Sequence, residues 1–233
     1  MITNAQIKQI RSLREKKFRD ELGLFVVEGE KMVAEAQNSR FDVVSVWRRD
    51  EIGDEAMSRI SQFTSPPPVL AVVSKPAPQP VKTVRGLCLA LDGVRDPGNM
   101  GTIIRLSDWF GISTVYVSGG CVEVFNPKVI QASMGSIFRV DIISADIPGI
   151  CARFRSEGMQ VFGTFLDGSD IYRQDLPQEG LIIMGNESEG ISPETAAQVS
   201  SRLYIPPFGN SGAESLNVAT AAAITLSEFR RRQ

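Results

Sequence analysis

The runs Leu87-Cys-Leu-Ala-Leu91 and Thr114-Val-Tyr-Val-Ser118 are apolar almost throughout, with no alternating polar face. Such strands belong in a parallel sheet covered on both sides. Parallel neighbours need a crossover, usually a helix, and from residue 86 the chain supplies that alternation. Thr102 to Phe110 reads as a helix ended by Gly111. Asn126-Pro127, an N-cap followed by proline, starts another that runs through Phe138. Strands at 139–143, 161–166, 181–185 and 202–206, a helix through 150–158 and a last helix at about 215 to 231 complete the series. Ser192-Pro193-Glu194 repeats the N-cap and proline signal. The fold class is α/β, a mostly parallel sheet with strand-end loops on one edge.

Residues 1–75 form a different pattern: a helix at 4–19, then alternating short strand and helix candidates closing on Val69–Val73. That is a small α/β module. Between the two, 76–84 carries Pro76, Pro78 and Pro80 in alternation and reads as an extended linker, leaving 85–233 as the second domain.

Composition narrows the chemistry. The 233 residues contain no histidine, which removes Ser-His-Asp and Cys-His catalysis and most zinc and non-haem iron sites. Cys88, Cys121 and Cys151 are odd in number and form no CxxC, which argues against a disulfide framework or a metal site and for a reducing cytoplasm. No apolar run approaches the roughly 20 residues of a membrane span. Net charge is −2, but residues 1–19 hold Lys8, Arg11, Arg14, Lys16, Lys17 and Arg19 against Glu15 alone, a net +5 that leaves −7 for the rest. The charge is thus asymmetric, a basic N-terminal element on an acidic body.

Three loops carry candidate chemistry. Asp92–Arg105 holds Gly93, Pro97, Gly98 and Gly101 and turns sharply into a helix whose N-terminus can hold an acceptor-rich ligand. Within it, Asn99 is either a helix cap or a site residue, and Arg105 either a surface charge or its neighbour in a crevice. Leu181–Ser192 runs from a buried strand into Gly185, Asn186, Glu187 and Gly190, placing Glu187 where open α/β sheets bind ligands. Tyr204–Ile224 ends a strand at Ile205-Pro206-Pro207, then starts the final helix near Glu214 or Ser215, with Asn217 in its first turn. No GxGxxG occurs, which weighs against a dinucleotide enzyme of the Rossmann type.

In this order, the loops resemble the three motifs of the SpoU (TrmH-like) branch of the SPOUT RNA 2′-O-ribose methyltransferases. The residues are Asn99-Met-Gly101-Thr-Ile-Ile-Arg105, Gly185-Asn186-Glu187-Ser-Glu-Gly190, and Ile205-Pro206 with Glu214-Ser215-Leu216-Asn217-Val218. The first module resembles the substrate-binding domain that precedes the catalytic domain in many members, similar to a ribosomal-protein-type RNA-binding fold. The loop from Pro207 to Glu214 departs from the family by a residue or two of extra length, and Pro207 stands where Met is common.

The resemblance implies an enzyme that uses S-adenosyl-L-methionine to methylate a ribose 2′-hydroxyl, in 23S rRNA ahead of tRNA. A non-catalytic RNA-binding protein is the other alternative. It also implies a C-terminal trefoil knot, a homodimer, no membrane and no metal. Asn99, Arg105, Glu187, Ser215 and Asn217 are the implied catalytic set, and Thr164, Met184, Gly185, Ile205 and Leu216 the implied cofactor contacts. The six basic residues of the first 19 would contact RNA phosphates. The methyl group arrives already activated, so positioning and electrostatics can supply the rate without imidazole. Arg105 is read as orienting the 2′-hydroxyl rather than deprotonating it, since a guanidinium does not readily lose its proton.

Overall fold

The computed structural model describes residues 2–78, 80–81, 83–209, 212 and 214–231. The expected N-terminal helix is two helices, α1 (Asn4–Ser12) and α2 (Lys16–Leu22). Thr3 and Gln6 form a capping box at the start of α1, whose buried face is Ile7 and Ile10. The break between the helices frees backbone carbonyls, and the Arg19 guanidinium takes two of them: Nη1 donates to Leu13 O and Arg14 O, both at 2.8 Å. Then follow β1 (Leu24–Glu28), α3 (Glu30–Gln37), β2 (Val43–Arg48), the single turn α4 (Arg49–Ile52), α5 (Asp54–Ile60) and β3 (Val69–Ser74). These three strands pair antiparallel in the order β1-β3-β2, so the apolar β3 lies in the middle.

The second sheet contains β4 (Leu87–Leu91), β5 (Thr114–Val117), β6 (Asp141–Ser144), β7 (Val161–Asp170), β8 (Gly180–Met184) and β9 (Ser201–Tyr204). Every pairing is parallel, in the order β6-β5-β4-β8-β7-β9. The strand order reverses between β4 and β8, which opens a crevice at their C-terminal ends. Alternate residues of β4 enter opposite cores, Leu89 with the cluster that includes Phe162 and Leu226, Cys88 and Ala90 with Tyr116 and Phe154. Burial pushes the thiols of Cys88 and Cys151 up to about 12.

The connecting helices are α6 (Pro97–Trp109), α7 (Pro127–Ser133), α8 (Ile147–Ser156), the short α9 (Pro193–Ala196) and the terminal α10 (Val218–Arg231). The Asn126, Ser192 and Asp96 side chains cap α7, α9 and α6. Helix α6 begins at Pro97, ahead of the expected Thr102, because Asp96 Oδ1 accepts from Asn99 N at 2.8 Å with proline in the first turn. Helix α7 stops short of Phe138, because Met134 and Gly135 both take positive φ. At Gly135 a Cβ would meet Glu35 Cγ at 3.0 Å, so the break admits a side chain from the first module.

That approach is part of a wide contact. The two sheets share one buried core, in which Phe25, Val27 and Ala36 join Val129, Ile130 and Phe138. The Phe25 and Phe125 rings lie 4.7 Å apart, and Phe41 meets Phe138 edge-on at 5.2 Å. Ion pairs Arg19–Glu123, Arg139–Glu35 and Arg40–Asp141 surround it. The module is therefore docked on the larger sheet and not merely tethered by the proline-containing stretch. Amide hydrogen exchange of β3 and β8 should accordingly report one common opening. Phe25→Ala should lower the stability of both by about 3–5 kcal/mol; loss confined to β3 would mean the modules unfold separately.

Candidate active site

The three loops meet at the C-terminal ends of β4, β8 and β9, and the Asn99 amide joins them. Asn217 Oδ1 accepts from the backbone N–H groups of Ala219 (2.9 Å) and Thr220 (3.2 Å), which makes it the cap of α10. Its start is thus fixed at Asn217, not at Glu214 or Ser215. With that oxygen committed, Asn217 Nδ2 points outward and donates to Asn99 Oδ1 at 2.9 Å. Asn99 Nδ2 then donates to Glu187 Oε1 at 3.0 Å. The same carboxylate oxygen accepts from Asp96 N at 3.4 Å. Burial pushes the Glu187 carboxyl up, but hydrogen bonds from Asn99 and from the backbone of Asp96 and Arg95 outweigh it and hold the pKa below its ordinary value.

A second set of contacts ties the β8 turn to the β4 loop. Asn186 Nδ2 donates to Gly93 O at 2.7 Å while its Oδ1 accepts from Ser188 N and Glu189 N. Asp92 Oδ2 accepts from Ser192 N at 3.0 Å and Ser192 Oγ at 2.6 Å. Gly185 is required by space: a Cβ there would collide with the backbone of Gly190 and Ile191. Asp92, Asp96, Asn186 and Ser192 tie these loops together and were not among the expected site residues. Their signal is the turn-forming Asx and Ser chemistry at strand ends.

Of the expected catalytic residues, Asn99, Glu187 and Asn217 are brought together. Arg105 lies farther along α6 on its exposed face with Thr102 and Trp109, the last 83% exposed. Among the described residues Arg105 has no hydrogen-bond or ion-pair partner, and Ser215 is exposed with none to the Asn99 bridge. In the expected cofactor set, Thr164 Oγ1 donates to Ile183 O at 3.3 Å, Met184 and Gly185 are buried at the end of β8, Ile205 is half-buried after β9, and Leu216 is exposed. Buried strand ends with an exposed apolar side chain beside them suit an adenosine with a sulfonium-bearing aliphatic arm, which needs apolar walls and backbone polar groups. Asn210, Ser211 and Ala213 of the longer loop lie outside the described residues.

In the basic set, Lys8, Arg11, Arg14, Lys16 and Lys17 are exposed, opposite buried Ile7, Ile10 and Leu13. Lys16 pairs with Asp20, whose carboxyl is held down at about 2 by Lys16 and Lys75, and Arg14 donates to Ser61 O. Arg19 departs from the expected phosphate contacts. It is 3% exposed and committed to Glu123 and to the carbonyls it caps.

Residues 86–227 match the SpoU rRNA Methylase family and residues 4–75 the MRM3-like substrate binding domain. The chain is 32% identical to the 23S rRNA (guanosine(2553)-2′-O)-methyltransferase RlmP of Bacillus subtilis, over 97% of this chain and 96% of that protein. Among solved structures, a TrmH-family protein from Porphyromonas gingivalis superposes with a TM-score of 0.90 at 42% identity over the full length of both chains. An AdoMet-bound rRNA methyltransferase from Sinorhizobium meliloti gives 0.89 at 31% identity, covering 100% of this chain and 96% of that one. The chain belongs to the SpoU rRNA methylase family.

Two outcomes follow from the bridge. A Glu187 pKa depressed in the folded state stabilises the fold above the ordinary value of 4.5, and that contribution is lost as pH falls through the lower folded value. Carbon-13 NMR titration of Glu187 should show this, and Asn99→Ala should move the midpoint upward; an unmoved midpoint would remove Asn99 as its partner. Gly185→Ala should abolish AdoMet binding in calorimetry through displacement of the Gly190–Ile191 backbone.

Proposed function

We propose that this chain transfers the methyl group of S-adenosyl-L-methionine to a ribose 2′-hydroxyl in ribosomal RNA, of the 23S kind. The observation that carries this reading is the Asn99 bridge, which links the three motif loops through Glu187 and Asn217 at the sheet's switch point. The cofactor supplies a methyl group on a sulfonium, activated for direct transfer. Thr164 within β7, Met184 and Gly185 at the end of β8, Ile205 after β9 and Leu216 before α10 would hold it. Glu187, Asn99 and Asn217 fix the loop and helix that face the ribose. Arg105 and Ser215, without side-chain partners among the described residues, would serve the substrate: Arg105 would donate to the 2′-oxygen and to an adjoining phosphate, and that phosphate would share the departing proton.

The same reading assigns residues 1–75 to RNA binding through Lys8, Arg11, Arg14, Lys16 and Lys17, with 85–233 as the catalytic domain. A cytoplasmic location fits a ribosomal substrate. A trefoil knot in the C-terminal segment belongs to the same reading, by likeness to the family. A homodimer accords with the exposed Trp109 beside Arg105 on α6.

Mapping 2′-O-methyl groups in total RNA with and without the gene should show one site lost from large-subunit rRNA; a site lost only from tRNA, or none, would refute the substrate. Arg105→Ala should abolish methyl transfer and leave AdoMet affinity intact, whereas lost cofactor binding would refute its role. Replacing Lys8 and Arg11 by Ala should weaken RNA binding and reduce the slope of log K against log salt by about 0.7–0.9 for each phosphate no longer neutralised.

A further inference from the structure

Arg19 is the basic residue of the first 19 that the RNA-contact reading does not use, and its surroundings give it another task. Its side chain is 3% exposed and its partner Glu123 13% exposed. Nε lies 3.2 and 3.1 Å from the two carboxylate oxygens of Glu123, Nη2 reaches the same group, and Nη1 is held by Leu13 O and Arg14 O. Lys75 flanks the pair, with Nζ 3.7 Å from Glu123 Oε1, 2.6 Å from Asp20 Oδ1 and 5.4 Å from the Phe125 ring centre. The guanidinium thus locks the α1–α2 break, where the basic face turns, onto one carboxylate of the larger domain.

Glu123 belongs to the segment between β5 and α7, and that segment grips the first motif from both ends. On the loop side, Gly93 N donates to Ser118 Oγ (3.0 Å), Cys121 Sγ to Leu91 O (3.2 Å) and Val122 N to Val94 O (2.9 Å). On the helix side, Asn126 N donates to Glu123 O at 3.0 Å and the Asn126 side chain caps α7. Helix α7 lies so close to α6 that a Cβ on Gly101 would meet Ala132 Cβ and Val129 O at 2.5 Å. A shift of Glu123 is therefore felt both at the loop before Asn99 and along the helix that carries Arg105.

Packing of Phe25, Phe41, Phe125 and Phe138 already brings the modules together, and apolar contact is non-directional. A buried ion pair adds little net stability because desolvation offsets its attraction, but a forked guanidinium on a carboxylate fixes orientation. We propose that Arg19 and Glu123 are a positioning pair, which sets the angle of the RNA-holding module against α6 and so places the bound ribose relative to Asn99 and Arg105. The inference rests on the methyltransferase reading.

The test uses the full chain with AdoMet and rRNA from cells lacking the gene. Glu123→Gln should lower kcat roughly 10–100-fold, the scale of a small misplacement of reacting groups. KM for RNA and AdoMet affinity by calorimetry should stay at parent values. Lys75→Met, which leaves the buried pair in place, should give a smaller fall of the same kind. Unchanged kcat with a lowered melting temperature would overturn the proposal, as would loss of AdoMet binding in step with kcat. Should Glu123→Gln fail to fold, parent-like turnover by Lys75→Met would also overturn it. A parent chain that methylates no RNA would instead refute the function on which the inference stands.

Discussion

The site depends on one amide held in one orientation. Asn99 donates to Glu187 and accepts from Asn217, and it can do both only if its oxygen faces α10 and its nitrogen faces the β8 turn. The backbone of α10 decides that choice, because the N–H groups of Ala219 and Thr220 claim the Asn217 oxygen. The cap of α6 at Asp96 sets the other coordinate by placing Asn99 in the first helical turn. Beneath both lies the strand order, which seats β4 beside β8 and lets loops distant in sequence face each other.

Much of the larger fold was legible because its signals are local. Continuous apolar runs marked β4, β5 and β8, and the Asn126-Pro127 and Ser192-Pro193 pairs marked helix starts through chemistry contained within four residues. What was hidden depends on partners far away. Nothing in residues 4–19 announces a break at Leu13, since the carbonyls it exposes are satisfied by Arg19 folding back. Helix α7 reads as continuous to Phe138 until Glu35 is seen lying over Gly135. The docking of the two modules was hidden for the same reason: Phe25, Phe41, Phe125 and Phe138 carry no label of their mutual contact.

The site divides along the same line. Motif spacing led to Asn99, Glu187 and Asn217, whose bonds the structure displays, and to Arg105 and Ser215, which have no bond to that bridge. Asn186, though part of the second motif, and Asp92 were outside the expected site set, although they stitch the loops as firmly. Their partners lie 93 and 100 residues away, so their role exists only once the sheet is formed.

How the charges are distributed bears on how a chain without histidine can work. Arg19, Arg139 and Arg40 are spent on carboxylates across the module boundary, and Lys75 on Asp20 and Glu123. Arg105, on the helix that begins at the bridge, has no partner among the described residues. A cation already bound to a carboxylate would have to surrender it before meeting RNA, and the exchange would cancel much of the gain. An unpaired guanidinium loses only water, and its donors remain free for groups that arrive with the substrate. The nearby acid, Glu187, is kept ionised by donors of its own and anchors the loop, with no proton of its own to give at neutral pH. On the proposed methyl transfer, the proton would pass to the substrate's phosphate and to water, with the protein supplying fixed donors around them.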